Sequence, residues 1–293
     1  MHQDAGYIEV PGGRVWYRSV GRGGVPLLCL HGGPGFTHNY LDALEALADR
    51  RQVIFYDQLG CGNADRPDDV SLWTVDRFVE ELAQVRAALG LGDDLHLFGS
   101  SWGGMLAMQY VLDRRPQLRS LILCGSPASM IRWAVDCDEL LAAQPEEVRQ
   151  VIRRHERDGF TACPEYQAAI LGFYREHVCR LSPWPAGLER SFAEAGYSVY
   201  NTMNGPSEFT VTGTLKTWDI MDRLGEITIA TLLVGGRYDE CRPAHLAEMH
   251  SRIPASQLAI IEDASHLCFA EQPEAFGAVV NAFLDQQDAT MAG

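Results

Sequence analysis

A serine, an aspartate and a histidine spaced along this chain are of the types that together turn a hydroxyl into a nucleophile. Ser101 lies at the centre of Gly99-Ser100-Ser101-Trp102-Gly103, between a strand-like run at 94–98 and a helix-like run at 105–110. A serine hydroxyl is a poor nucleophile at neutral pH. It needs a histidine to take its proton and a carboxylate to orient that histidine. Gly99 and Gly103 flank Ser101 at minus two and plus two, where a side chain would collide with a sharp strand-to-helix turn. Such a turn lifts the hydroxyl above the end of a sheet and aims the first free N–H groups of the new helix at the same place. Taken alone, the pentapeptide is equally a glycine-rich turn with an incidental serine, so the partners decide.

In a parallel sheet, functional loops gather at the carboxyl ends of strands. Asp239 comes just after the apolar run ending at Gly235, and His266 just after the run ending at Ile261. Asp263 is closer to His266 in sequence but shares its loop. Asp239, at a strand end of its own, is the preferred acid. Of the other histidines, His31 reads as a brace for a neighbouring glycine loop and His96 as a strand residue. His155, His177, His245 and His250 read as surface residues. A developing oxyanion needs two N–H donors. Trp102, directly after the serine, supplies one, and Gly33 in His31-Gly32-Gly33-Pro34-Gly35 the other.

The elements that must carry these residues alternate regularly. Runs at 7–10 and 14–18 flank Pro11-Gly12-Gly13 as a hairpin. Runs at 26–30, 53–56, 121–124, 231–235 and 258–261 read as short strands. Segments 38–49, 75–89, 244–253 and 273–285 read as helices, the first with Leu41, Leu44 and Leu47 on one face. This β-α rhythm predicts an α/β protein with a mostly parallel, eight-stranded sheet covered by helices on both faces. The rhythm stops after Ser126-Pro127. Segment 128–223, rich in aromatics and proline breaks, is predicted to be a helical cap inserted into a core made of 1–127 and 224–293. The last residues are expected to fray.

A formal net charge of -15 without a long acidic run disfavours nucleic-acid or anionic-membrane partners and weakly favours a cationic ligand. The eight cysteines contain no C-x-x-C, and neither a signal-like start nor a membrane-length apolar run is present. A reducing, cytoplasmic setting is the simplest expectation. No histidine–carboxylate grouping has zinc-site spacing, so no metal or organic cofactor is expected. The sequence leaves the oligomeric state open.

His31-Gly32-Gly33-Pro34-Gly35, Asp57-Gln58-x-Gly60-x-Gly62, Gly99-Ser100-Ser101-Trp102-Gly103-Gly104, Gly236-x-Tyr238-Asp239-Glu240 and Ser265-His266 occur in this order. Together they resemble the prolyl aminopeptidase (proline iminopeptidase) family of α/β-hydrolases, from the first hairpin to the last helix. The likeness is greatest to the broad-specificity branch typified by tricorn-interacting aminopeptidases and amino-acid amidases. VinJ-like peptidases of macrolactam antibiotic pathways are among the relatives. The resemblance implies the α/β-hydrolase fold and a serine aminopeptidase acting through an aminoacyl-serine. Its substrate would be the amide after a free N-terminal residue, proline or another small apolar one, of a small peptide or an aminoacylated small molecule.

The resemblance also implies that Glu208 and Glu240 bind the substrate's α-ammonium. The physical logic is that two carboxylates in a poorly solvated pocket hold a cation by charge-assisted hydrogen bonds. From position alone, Glu208 is a solvated cap residue and Glu240 a partner of Arg237 or Arg242. Leu59, Asn63 and Ala64 depart from the family pattern, and the cap diverges most, which bears on side-chain preference. Two other readings compete: an esterase, lactonase or acyltransferase on the same triad, and a non-catalytic binding protein of this fold.

Overall fold

The structure, a computed structural model, describes residues 3–289. Its strands are β1 (Gln3–Val10), β2 (Gly13–Val20), β3 (Leu27–Leu30), β4 (Val53–Asp57), β5 (His96–Ser100), β6 (Ser120–Cys124), β7 (Thr231–Gly236) and β8 (Ser256–Ile261). They form one eight-stranded sheet in the order β1-β2-β4-β3-β5-β6-β7-β8. β1 and β2 pair antiparallel, as does β2 with β4, and every later pairing is parallel. The register places Leu30 beside Gly99, Ser100 beside Cys124 and Gly236 beside Ile261. The loops leaving β3, β5, β7 and β8 therefore start at the same edge, with β7 and β8 running two to three residues further than β5 and β3.

Helices α1 (Val75–Ala88) and α2 (Trp102–Arg114) flank β5 in sequence. The chain between β6 and β7 holds α3 (Met130–Ala142), α4 (Glu146–Asp158), α5 (Pro164–His177), α6 (Ala186–Ala193) and α7 (Tyr197–Met203), and no strand. α8 (Pro243–Arg252), α9 (Cys268–Glu271) and α10 (Pro273–Ala289) complete the fold. No helix among the described residues is long and apolar enough to cross a membrane.

Three details differ from the sequence expectations. Segment His38–Asp49 is 3-10 helix, not α-helix. Leu41, Leu44 and Leu47 recur every third residue, which suits three residues per turn and buries all three. β5 starts two residues later than the polar–apolar alternation implied and is buried throughout. A central strand of a parallel sheet is covered on both faces, so its polar residues must find partners inside. α10 runs to Ala289, and the expected frayed end at 290–293 lies outside the described residues.

Candidate active site

β5 ends at Ser100 and α2 begins at Trp102, so Ser101 alone makes the turn. Its backbone sits at φ 55, ψ -124, a conformation that strains a residue with a side chain. Hydrogen bonds fix it: Ser101 N–H donates to the Cys124 carbonyl at 2.9 Å, and Ser101 O accepts from Gly104 N–H at 2.9 Å. A Cβ on Gly99 would run into the Gly103 carbonyl, and one on Gly103 into the Leu30 carbonyl oxygen. The two flanking glycines are thus required by the close approach of strand, helix and glycine loop. Trp102, in the first turn of α2, has an N–H without an intrahelical acceptor.

His266 Nδ1 donates to Asp239 Oδ1 at 2.7 Å, and the same oxygen takes the Cys241 N–H at 2.7 Å. Both side chains are buried. Asp263 stays exposed in the turn before His266, so the contact is made by Asp239. Ser101 and His266 line the same pocket, with no hydrogen bond between their side chains among the described residues. A Ser–His contact of this kind commonly tightens only when substrate is bound.

The glycine loop and the elbow are tied together by one side chain. Gln58, fully buried, donates from Nε2 to the His31 carbonyl at 2.9 Å and accepts from Trp102 Nε1 at 2.9 Å. Its N–H donates to His31 Nε2 at 3.0 Å, while His31 Nδ1 bonds the Gly32 carbonyl at 2.9 Å. One ring nitrogen accepts and the other donates, so His31 is neutral. Burial, outweighing the nearby Asp57, agrees by lowering its pKa to about 4. His31 is the brace that its position suggested. Gln58 stands second in Asp57-Gln58-x-Gly60-x-Gly62, and the fold shows that it ties the His31 carbonyl of the glycine loop to the Trp102 indole.

Asp57 and Cys61 come close enough to His31 to suggest a metal cluster, but their polar atoms are taken. Asp57 accepts from His38 Nδ1 at 2.7 Å and from Asn63 N–H at 2.9 Å, and Cys61 Sγ donates to the Gln58 carbonyl at 3.1 Å. This is a hydrogen-bonded loop brace. The departure at Asn63 serves it, and Leu59 and Ala64 are buried beside it.

Glu208 and Glu240 both line the pocket of Ser101. Glu208 Oε1 accepts from Tyr200 Oη at 2.8 Å, its N–H donates to Tyr174 Oη at 3.2 Å, and its carbonyl takes Trp133 Nε1 at 2.9 Å. Glu240 is fully buried, and neither carboxylate oxygen has a hydrogen-bond partner among the described residues. Oε1 lies 4.0 Å from His266 Nε2. Arg237 pairs instead with Glu262, and Arg242 with Glu139, so Glu240 is not an arginine partner.

Burial raises the pKa of both glutamates, and Glu208 pushes that of Glu240 further. Burial alone would lower that of His266. The charge and hydrogen bond of Asp239, then Glu240 and Glu208, overcome this and raise it to about 10. The pocket carries surplus negative charge.

Two lobes meet at Ser101, Gly33 and Glu208. One, with about 40 Å³ of free space, is walled by Phe36, Tyr40, Leu188 and Phe192. That is room for a few waters or a small ring. The other, narrower still, is walled by Met105, Met130, Trp133 and Leu215.

Two histidines expected on the surface are buried. His177, at the end of α5, donates from Nδ1 to the Tyr238 carbonyl at 2.9 Å, next to Asp239. Its own carbonyl takes the His266 N–H at 3.1 Å, and Val178 O takes Leu267 N–H at 3.0 Å. His245, on α8, faces Asp136 of α3 at 3.4 Å. Helical periodicity gave no sign of either, because both face neighbours remote in sequence.

A serine on a strained elbow, an aspartate–histidine pair and a glycine loop on one sheet edge are the architecture of an α/β-hydrolase. The family model for the alpha/beta hydrolase fold matches residues 25–273. Over 285 residues the chain is 43% identical to the proline iminopeptidase of Heyndrickxia coagulans, covering 96% of this chain and 98% of that protein. Its structure is similar to that of VinJ (TM-score 0.94, 38% identity, 97% and 99% of the two chains). It is also similar to proline iminopeptidase of Mycobacterium smegmatis (TM-score 0.89, 39% identity, 98% and 99%). The chain belongs to the proline iminopeptidase family, the serine aminopeptidases among the α/β-hydrolases.

Proposed function

We propose that this protein removes a free N-terminal residue, proline or another small apolar one, from a small peptide or an aminoacylated small molecule. The observation that carries the reading is Glu240, a buried carboxylate with no hydrogen-bond partner among the described residues, facing the pocket of Ser101 together with Glu208. A buried, unpaired carboxylate is costly unless something cationic arrives to meet it. A substrate α-ammonium, one carbon from the scissile carbonyl, is such a cation. Glu208 and Glu240 hold it. His266, oriented by Asp239, takes the Ser101 proton, Ser101 attacks, and the Trp102 and Gly33 N–H groups receive the oxyanion. His266 then protonates the leaving amine, and water hydrolyses the aminoacyl-serine ester.

The aromatic-walled lobe suits a small ring or short side chain, and the methionine- and tryptophan-lined lobe an apolar leaving group. In this reading 128–223 acts as a cap that supplies Glu208 to a core formed by 1–127 and 224–293. Eight free thiols support a reducing, cytoplasmic setting.

The test compares prolinamide-type substrates with free and acetylated nitrogen in Glu208→Gln. Loss of one charge-assisted contact predicts a fall of ~10–100-fold in kcat/KM for the free amine alone. An equal loss on both substrates assigns Glu208 a structural role. A wild-type preference for the acetylated compound returns the site to an esterase.

A further inference from the structure

We propose that the substrate's α-ammonium does more than dock: it displaces a proton held between Glu240 and His266 Nε2, and so releases the base that activates Ser101. The inference rests on the amine-binding reading above and adds a catalytic consequence to it.

The geometry is specific. His266 has Asp239 at 2.7 Å on Nδ1 and Glu240 at 4.0 Å on Nε2, so its ring lies between two buried carboxylates. Nε2 is the nitrogen that must accept the Ser101 proton. Glu240 has no other partner, and no arginine or lysine among the described residues pairs with Glu240 or Glu208. Among the described residues, the counter-ion left to Glu240 in the free protein is therefore a proton on the Nε2 side, and while it stays there Nε2 has no lone pair to offer.

The groups facing this gap from the packed elements do not supply another cation. Asp239 and Glu208 are acids. Tyr174, Tyr200, Cys137 and Cys268 are all driven, chiefly by burial or by a neighbouring hydrogen bond, toward their neutral forms. The high pKa of His266 and of Glu240 in the free protein is what this arrangement produces.

The step balances simply. A protonated His266–Glu240 pair and a substrate ammonium give the complex plus one proton released to solvent. Glu240 then carries the ammonium as its counter-ion, His266 keeps only its Nδ1 proton, and Nε2 is free. A substrate without the cation binds next to a base that is still protonated. Selectivity for a free amine then appears in kcat as well as in binding.

Two measurements test this. In Ser101→Ala, prolinamide binding is followed calorimetrically at about pH 7, where an α-amine is largely ammonium, in buffers of different ionisation enthalpy. Roughly half to one proton should be released per ligand, and Glu240→Gln should lose most of that. With the wild-type protein, the kcat–pH profile reports groups in the enzyme–substrate complex. Its acid limb should lie about one pH unit or more lower for prolinamide than for the neutral methyl cyclopentanecarboxylate. Prolinamide binding without proton release, or coincident limbs, overturns the inference while leaving amine binding intact. Failure of prolinamide to bind Ser101→Ala removes the amine-binding reading, and the inference with it.

Discussion

The molecule brings the same three residue types together at both edges of its sheet. At the carboxyl edge, His266 joins Asp239 and faces the pocket of Ser101. At the amino edge, buried His96 bonds Ser120 Oγ at 2.8 Å through Nδ1 and Asp288 Oδ1 at 3.1 Å through Nε2, the ring turned end for end. By hydrogen bonds alone the second set is the better formed. Yet Ser120 lies in regular strand with no exposed surface, without a strained turn to present it. The charges also differ. Burial and then the Arg51 cation drive the pKa of His96 down to about 4, while the acids around His266 raise its pKa to about 10. A serine–histidine–aspartate set becomes a site through presentation, access and surplus charge, and the amino-edge set has none of these.

The largest contrast should come from removing each serine. Ser101→Ala should lower kcat by ~10⁴–10⁶-fold, as loss of a serine nucleophile does. Ser120→Ala should leave turnover within about twofold and cost about 1 kcal/mol of stability for one lost hydrogen bond. Thermal denaturation beside steady-state kinetics measures both. Comparable losses of activity in the two variants would erase the distinction.

Next comes Gln58, which bonds both the glycine loop and the Trp102 indole. Gln58→Leu should cut kcat ~10–100-fold with KM nearly unchanged, because it loosens the loop and elbow that carry the proposed oxyanion donors Gly33 and Trp102, which would act in the transition state. A change in KM alone would mean that Gln58 shapes the pocket instead.

The smallest effect is on stability against pH, and its sign differs between the edges. The folded pKa of His96 lies below the unfolded value of 6.5, so its contribution is present above 6.5 and lost as pH falls toward 4. His96→Gln should flatten that acid loss by an amount on the order of 2 kcal/mol, with the similar share of His31 remaining. The folded pKa of His266 lies above 6.5. Its contribution is present below 6.5 and lost as pH rises through about 10. His266→Gln should flatten the alkaline limb. Denaturant titrations across pH separate the two, and a shared sign would contradict the charge contrast.

What the sequence made legible follows from what sequence patterns encode. Ser101, Asp239 and His266 stand directly after apolar strand runs, so sheet topology brings them to one edge. The glycines around Ser101 announce a close approach that the Leu30 and Gly103 carbonyls confirm. Glu208 was readable only through family resemblance, because it sits in an irregular stretch after α7 where periodicity has nothing to say. The buried states of His177 and His245 and the double grip of Gln58 depend on contacts between distant segments, which no local pattern contains. The leucine triplet at 41, 44 and 47 did contain its answer, in a period of three instead of 3.6.

The backbone bonds that His266 and Leu267 donate to the His177 and Val178 carbonyls bear on engineering. Exchanging the whole of 128–223 for the matching segment of a relative would cut through the backbone support of His266, the proposed base. A chimera that keeps residues 177–178 and varies the chain on either side can change what the pocket admits while the chemistry keeps its footing. The side chains of these two residues are held as well, since His177 Nδ1 donates to the Tyr238 carbonyl and Val178 lines the pocket of Ser101.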